Sequence, residues 1–373
     1  MEPAKPASAP ATTHAAAQIR PAQFADAEAI GQIHRRNGLG EFDIRAWRSR
    51  WESYPFAADF QDVPIGWVLE TDTGALVGTI GNIHMLYEID GESVRVAIAT
   101  DWGVDAEHRG RALHLTTAFF KQKGPDLLIN GSASPIASKV LAGLQIPRMP
   151  IPDYTSPCFW AANTTAFAKA ALQRRNVSAT ALLAYPAGLA LQARDILRRS
   201  GRGKPSGQVH RLKNFDDRFD ALWQRIAAGP SRLRAVRTQA VLRWRFQTDL
   251  DSGRGTILAA ESGANLSGYI VLLRRPGSDL GMSLYDVADF QAAGDDPAIY
   301  RDLLLAAIQL AREEGVDAVK LMTGTPAKRT SAMALQPYTY QVAHWPLFYR
   351  AAARLKSLLD SADAWDFSLF ETY

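Results

Sequence analysis

The chain has 373 residues, 47% hydrophobic and 21% charged, with 42 Lys and Arg against 38 Asp and Glu for a formal net charge of +4. That composition excludes a chain too polar to bury a core, and the near balance of charge gives no dense basic surface of the kind nucleic acid requires. A single cysteine excludes an intrachain disulfide and fits a cytoplasmic setting, and the length suits two domains better than one.

Residues 1–18, rich in Ala and Pro, read as a flexible leader without the continuous apolar core of a secretory signal. From Ile19 a short strand leads into a helix capped by Asp26, with Ala29, Ile30 and Ile33 on one side. Trp47 and Trp51, four apart, share the inner face of a second helix. A meander follows in WVLE, ALVGTIGNIHMLYEI and ESVRVAIATDWGV, its second turn written by the hairpin pair Asp90-Gly91. After the segment DAEHRGRALHL, a helix is expected with Leu113, Thr117 and Phe120 in register, stopping at Gly124. PDLLINGSA then reads as a buried strand and SPIASKVLAGL as a helix. Cys158 reads as buried packing.

The uncharged run 179–191 is too short to span a bilayer and carries Pro186. It reads as a linker helix; the alternative, given its basic flanks, is a helix over 179–199 lying on an anionic membrane surface. The basic runs RRSGRGK and LLRRPG lack interleaved aromatics, which argues against nucleic acid. From Gly207 the element order repeats: strand QVHRLKN, helices DDRFDALWQRIAA and TQAVLRWRF, a hairpin turning at Ser262 to Asn265, strand GMSLYDVADF, a long helix closing on Gly315, and strand VDAVKLMTG. The repeat lies in the order and not in matched letters. The expected organisation is a leader over 1–18, a first domain over 19–165, a linker helix and basic loop over 166–206, and a second domain over 207–373.

The segment Asp105 to Leu115 places Arg109, Gly110 and Arg111 where a strand gives way to a helix. A helix start leaves backbone N–H groups without carbonyl partners and carries partial positive charge. Two guanidinium groups add full charge and a glycine permits close approach, so the corner suits a phosphate; the same residues also serve an ordinary solvated turn. The surrounding order decides between these. Strand, two helices, three meandering strands, arginine-glycine turn, helix, strand and helix resembles the GNAT family of acyl-CoA-dependent N-acyltransferases, over about residues 19–165 and, by topology, again over about 207–350. The telling match is V-x-x-E-x-R-G-R from Val104 to Arg111.

The resemblance implies an α/β fold with a mixed sheet in two tandem GNAT-like domains. It implies that backbone N–H groups of the turn hold the pyrophosphate of acetyl-CoA or another acyl-CoA. It also implies a bulge within Asp101 to Val104, to which Gly103 is suited, that frees an N–H for the developing oxyanion. The coenzyme positions carried over are Trp102, Gly103, Val104, Arg109, Gly110, Arg111, Ala112, Leu113 and Ser134. Ala112 stands in place of the first motif glycine and His114 in place of the closing Gly or Ala. Ser134 and Leu141 stand where many members have an Asn and a Tyr that protonates the departing thiolate. In the second copy Asp295 and Asp296 replace the arginine-glycine pair, so a coenzyme site is expected in the first copy alone.

Acyl transfer needs a neutral amine and a polarised carbonyl. Asp101, partly withdrawn from water in an apolar strand before the bulge, is the first candidate base, with an ion pair to an arginine as its equal structural alternative. His84, on the neighbouring strand, is the second, although a lone strand histidine is more often packing. Glu41 and Asp43, in the loop between the first two helices, are candidates to bind a cationic amine. No HExxH or CxxC spacing offers a metal site. The implied activity is N-acylation, most simply acetylation, of a primary amine on a small molecule or amino sugar. The alternatives are a non-catalytic acyl-CoA sensor or scaffold, and an aminoacyl-tRNA-dependent transferase of cell-wall type.

Overall fold

The computed structural model describes residues 17–372 except 132, 134, 179, 203–207, 278–280 and 341–345. All but the last two residues of the expected leader therefore lie outside the described residues. The chain forms two compact units: one of residues up to Glu52 with Gln61–Ile83 and Ala99–Gly124, the other of Ser53–Phe60, His84–Ile98 and everything from Pro125.

In chain order the first elements are β1 (Ala17–Pro21), α1 (Ala27–Asn37), α2 (Ile44–Glu52), β2 (Gly66–Thr71), β3 (Leu76–Ile89), β4 (Glu92–Val104) and α3 (Ala112–Lys121). β1 and β3 flank β2 antiparallel, and the long strands β3 and β4 run through both units. Asp90 and Gly91 adopt φ of 51° and 79°, the left-handed pair that a tight hairpin of right-handed twist requires. Trp47 and Trp51 are buried as expected, and the Trp51 indole N–H donates to the Asn82 carbonyl at 2.8 Å.

Three local expectations fail here. The Asp26 carboxylate does not cap α1; it accepts from Arg20 at 2.8 and 2.9 Å and from the Gln23 N–H, because a guanidinium within reach outcompetes a helix terminus. The inner face of α3 is Leu115, Thr116, Phe119 and Phe120, whereas Leu113 is 44% exposed. Two residues turn a helix by about 200°, so Leu113 and Leu115 cannot share a face. Finally, α3 ends at Lys121, where Gln122 turns extended (φ −57°, ψ 152°), and Gly124 with φ 106° belongs to the loop beyond.

The chain continues with β5 (Leu127–Asn130), α4 (Pro135–Gly143), β6 (Cys158–Ala161), α5 (Thr164–Arg174), α6 (Thr180–Arg202), β7 (Gln208–Leu212), α7 (Arg218–Ala227), β8 (Arg234–Ala235) and α8 (Gln239–Asp251). It closes with β9 (Gly255–Ser262), β10 (Asn265–Arg275), β11 (Leu284–Ala292), α9 (Pro297–Glu313), β12 (Ala318–Leu321), α10 (Pro326–Ala334), β13 (Tyr338–Thr339) and β14 (Phe348–Ala351). The second half thus repeats the first, and the strands fall into two seven-stranded sheets, β1-β2-β3-β4-β5-β14 with β8 on β3, and β13-β6-β12-β11-β10-β9-β7.

The last strands of the two halves are exchanged between the sheets. β6, from the first half, lies antiparallel on β12, and β14, from the second, lies antiparallel on β5. Neither CFWA nor FYRA reads as a strand from the sequence, and a four-residue segment does not say which sheet edge receives it. Behind the second sheet, Leu303, Leu304, Ala307, Ile308 and Ala311 of α9 pack on Leu258, Ile270, Leu272 and Val287. Cys158 is fully buried in that sheet, and burial pushes its thiol pKa up.

The α6 helix packs on α5 through its small residues: a methyl group at Gly188 would stand 2.7 Å from the Thr165 hydroxyl. Its other side leaves Leu182, Tyr185, Leu189 and Ile196 exposed, a stripe at helical spacing. Among the described residues no helix is long and apolar enough to cross a membrane.

Candidate functional site

The irregularity expected within Asp101 to Val104 falls on Asp101 itself, which stands at φ 50° inside β4, while Gly103 stays at negative φ. A left-handed aspartate costs on the order of 1 kcal/mol, so its surroundings must hold it there. The carboxylate is 8% exposed, and its Oδ2 accepts from Arg50 Nη1 at 2.8 Å. Oδ1 accepts from the Thr100 hydroxyl at 3.3 Å and lies 3.5 Å from His34 Nε2. Beneath it β3 carries Gly81, where a Cβ would come within 2.6 Å of Thr100 Cγ2 and 3.2 Å of Asp101 Oδ2. The aspartate thus sits in a slot cleared by a glycine and closed by α1 and α2.

Sequence reasoning missed His34. It lies in the last turn of α1, is 4% exposed, and packs its ring 4.7 Å from that of Phe42. Among the described residues neither ring nitrogen has a hydrogen-bond partner. Burial pushes its imidazole pKa below the usual value against the opposing pull of the Asp101 charge, so the ring is neutral near pH 7 and able to accept a proton. The available signal was position: a histidine one turn before a glycine that ends the helix, here Gly38 in the left-handed conformation.

The same helix end fixes the entrance to the arginine-glycine turn. Arg36 holds both Asp105 carboxylate oxygens at 2.8 to 3.1 Å and donates to the Leu76 carbonyl, and Asn37 donates to Asp105 Oδ1 at 2.9 Å. From there Ala106–Arg111 winds as a 3-10 turn directly into α3. Arg109, Gly110 and Arg111 are exposed, and among the described residues neither guanidinium meets a carboxylate. A Cβ at Gly110 would meet nothing within 4 Å. Ala112 is half-buried, and Leu113 and His114 are exposed. Val104 is buried, Trp102 half-buried, and Gly103 lies under Leu39, whose Cδ1 would stand 2.8 Å from a Cβ there.

The remaining candidates are more scattered. Asp43 accepts from the Ala46 N–H at 3.0 Å and so caps α2, while Glu41 is exposed. His84 belongs to the second unit, where its buried ring stacks on Phe60 at 4.9 Å and 12°. Leu141 is fully buried, and Ser134 lies outside the described residues. Among the described residues no group of three or more His, Cys, Asp or Glu could hold a metal ion.

No family model and no curated protein matches the sequence. Solved structures do. A GCN5-related N-acetyltransferase from Anabaena variabilis is similar with a TM-score of 0.56 at 13% identity, over 92% of this chain and 74% of that one. Another, from Kribbella flavida, gives 0.54 at 14% identity over 90% and 71%, and Eis1 from Mycobacterium abscessus gives 0.52 at 15% over 96% and 84%. The fold is that of the GCN5-related N-acetyltransferases.

The second GNAT-like copy also carries an aspartate near the end of the equivalent strand, without the left-handed backbone of Asp101. Its counterpart of β4 is β11, where the register passes from Val271↔Asp289 to Leu272↔Val287 and leaves Ala288 bulged. There Asp289 is wholly buried, takes both oxygens to Arg237 Nε at 3.0 Å, and accepts from the Tyr269 hydroxyl at 2.5 Å. The C-terminal stretch fills the space: Glu371 binds Arg237 Nη2 at 3.0 Å, and Asp366 binds Lys328 at 2.5 Å and accepts from Thr325 at 3.1 Å. Where the first copy exposes two arginines, Asp295 binds Arg232 at 2.5 Å and the Tyr300 hydroxyl, and Asp296 caps α9 through the Ala298 N–H at 2.7 Å.

Proposed function

We propose that the protein is an acyl-CoA-dependent N-acyltransferase that acylates a primary amine of a small molecule or amino sugar, with the coenzyme held by the first GNAT-like copy. The observation that carries this is the contrast between two equivalent turns. In the first, Arg109 and Arg111 stand exposed beside an unobstructed Gly110 and, among the described residues, meet no carboxylate; in the second, carboxylates satisfy the turn and buried side chains fill the space. A helix start with two free guanidinium groups fits a diphosphate, and a helix start capped by aspartate repels one. The second copy then serves as scaffold.

Acyl-CoA, when bound, supplies a thioester carbonyl open to attack by an amine. Arg109 and Arg111 would neutralise the diphosphate, with the backbone around Gly110 admitting it closely. Asp101 and His34 would take the amine proton, the neutral imidazole accepting and the carboxylate steadying the resulting cation. Leu141, buried where a thiolate-protonating tyrosine is expected, favours a second reading as a non-catalytic acyl-CoA sensor.

Calorimetric titration with acetyl-CoA and longer acyl-CoAs tests the coenzyme site. The native chain is expected to bind, and the double variant Arg109→Glu, Arg111→Glu to lose at least a hundredfold in affinity; equal affinity in both would move the site elsewhere. Thiol release on screening amines separates enzyme from sensor. The exposed stripe Leu182, Tyr185, Leu189 and Ile196 of α6, with the basic sequence that flanks the helix, supports contact with an anionic membrane. Cosedimentation with phosphatidylglycerol vesicles is expected for the native chain and lost in Leu189→Glu with Ile196→Glu; no pelleting of the native chain would dismiss the contact.

A further inference from the structure

Outside the region discussed so far, the second unit holds a cavity of about 320 Å3 between α5 and the β6–β13 edge of its sheet. That is the lower end of the range for small-molecule sites, about 300–1,000 Å3. Its walls are aromatic and aliphatic. Phe159 stacks on Tyr340 with ring centroids 5.2 Å apart and 17° between planes, Phe167 lies 4.9 Å from Tyr338, and Met282, Ala170, Ala171 and Thr339 also line it.

The charged side chains lining this cavity are two arginines. Arg174 lies over the Tyr340 ring at 3.7 Å, and Arg175 follows it. Both are exposed, and among the described residues neither meets a carboxylate. Asp195 of α6 accepts from the hydroxyl of the lining residue Tyr338 at 3.1 Å, and Arg194 covers the Tyr338 ring at 4.5 Å. An aromatic box with no cation beside it would suit a quaternary amine, but here the adjacent guanidinium groups repel one. An anion with an apolar body gains from both halves: the rings and Met282 take the hydrocarbon, and a guanidinium takes a carboxylate through paired N–H donors.

We propose that this cavity binds a small organic monoanion, a medium-chain or aryl carboxylate, with its carboxylate on Arg174 and Arg175 and its apolar body among Phe159, Phe167, Met282 and Tyr340. The site is separate from the proposed coenzyme turn and does not depend on acyl transfer.

The test is calorimetric titration of the full chain, without coenzyme, using octanoate, 4-phenylbutyrate and the uncharged octanamide. Saturable one-to-one binding of at least one carboxylate is expected, with octanamide at least tenfold weaker. Arg174→Gln with Arg175→Gln should weaken the carboxylate at least tenfold; both residues are exposed, so the variant keeps its fold. Ala171→Trp, which fills the cavity from α5, should abolish binding. The proposal is overturned if neither carboxylate binds saturably, if octanamide binds as tightly, or if either variant binds the carboxylate as the native chain does.

Discussion

Replacing Arg237 with methionine is expected to destabilise the second unit by about 3–5 kcal/mol, enough to unfold a marginal domain. The guanidinium is wholly buried and serves two carboxylates that are equally buried, Asp289 and Glu371. Removing it leaves two acids without their cation in a place water does not reach. The opposite loss tempers the damage: Arg237→Met combined with Asp289→Asn should recover part of the stability, because one of the stranded charges goes with it. Urea unfolding of the three chains gives the comparison, and a single variant as stable as the native chain would show that these charges are not coupled. Glu371 adds a pH dependence. Burial pushes its carboxyl up to about 7 against the pull of Arg237, so the folded chain holds that proton more tightly than the unfolded chain does. The stability this brings is complete below the ordinary glutamate pKa of about 4.3 and is lost as pH rises through about 7, a change of about 3 kcal/mol between pH 5 and 8. The melting temperature of the native chain should fall over that window and the slope should flatten in Glu371→Gln.

Why this network escaped the sequence reading is instructive. Arg237, Asp289, Lys328, Asp366 and Glu371 are spread over more than a hundred residues, and each alone looks like a solvated charge. Only folding brings them to one place, where the bulge in β11 and the C-terminal stretch meet. By contrast, the meander, the Asp90-Gly91 hairpin and the order of helices were legible because each is dictated by neighbours in sequence. The turn at Arg109 to Arg111 was legible for the same reason. His34 was not: its relation to Asp101 joins the end of α1 to the end of β4, and no spacing along the chain records it. The exchange of β6 and β14 was hidden likewise, since register and partner are chosen across the sheet.

Asp101→Asn is expected to lower the turnover number of acyl transfer by roughly 100- to 10,000-fold, the range that general-base groups contribute, while leaving KM for acyl-CoA unchanged. Asparagine fills the same slot above Gly81 and still accepts from Arg50 through its amide oxygen, so the substitution removes the charge and proton affinity with little change of shape. Asp101→Ala would be a poorer probe, since it strands Arg50 and His34 together. If the aspartate serves only to anchor Arg50, Asp101→Asn should reduce the melting temperature and leave turnover per folded molecule intact, which would overturn the assignment. His34→Gln separates the two members of the pair. Should the imidazole receive the proton with Asp101 behind it, both variants must lose turnover and the double variant must lose little more than either alone, because the two residues act as one unit. Independent, multiplying losses would mean that Asp101 works without the histidine.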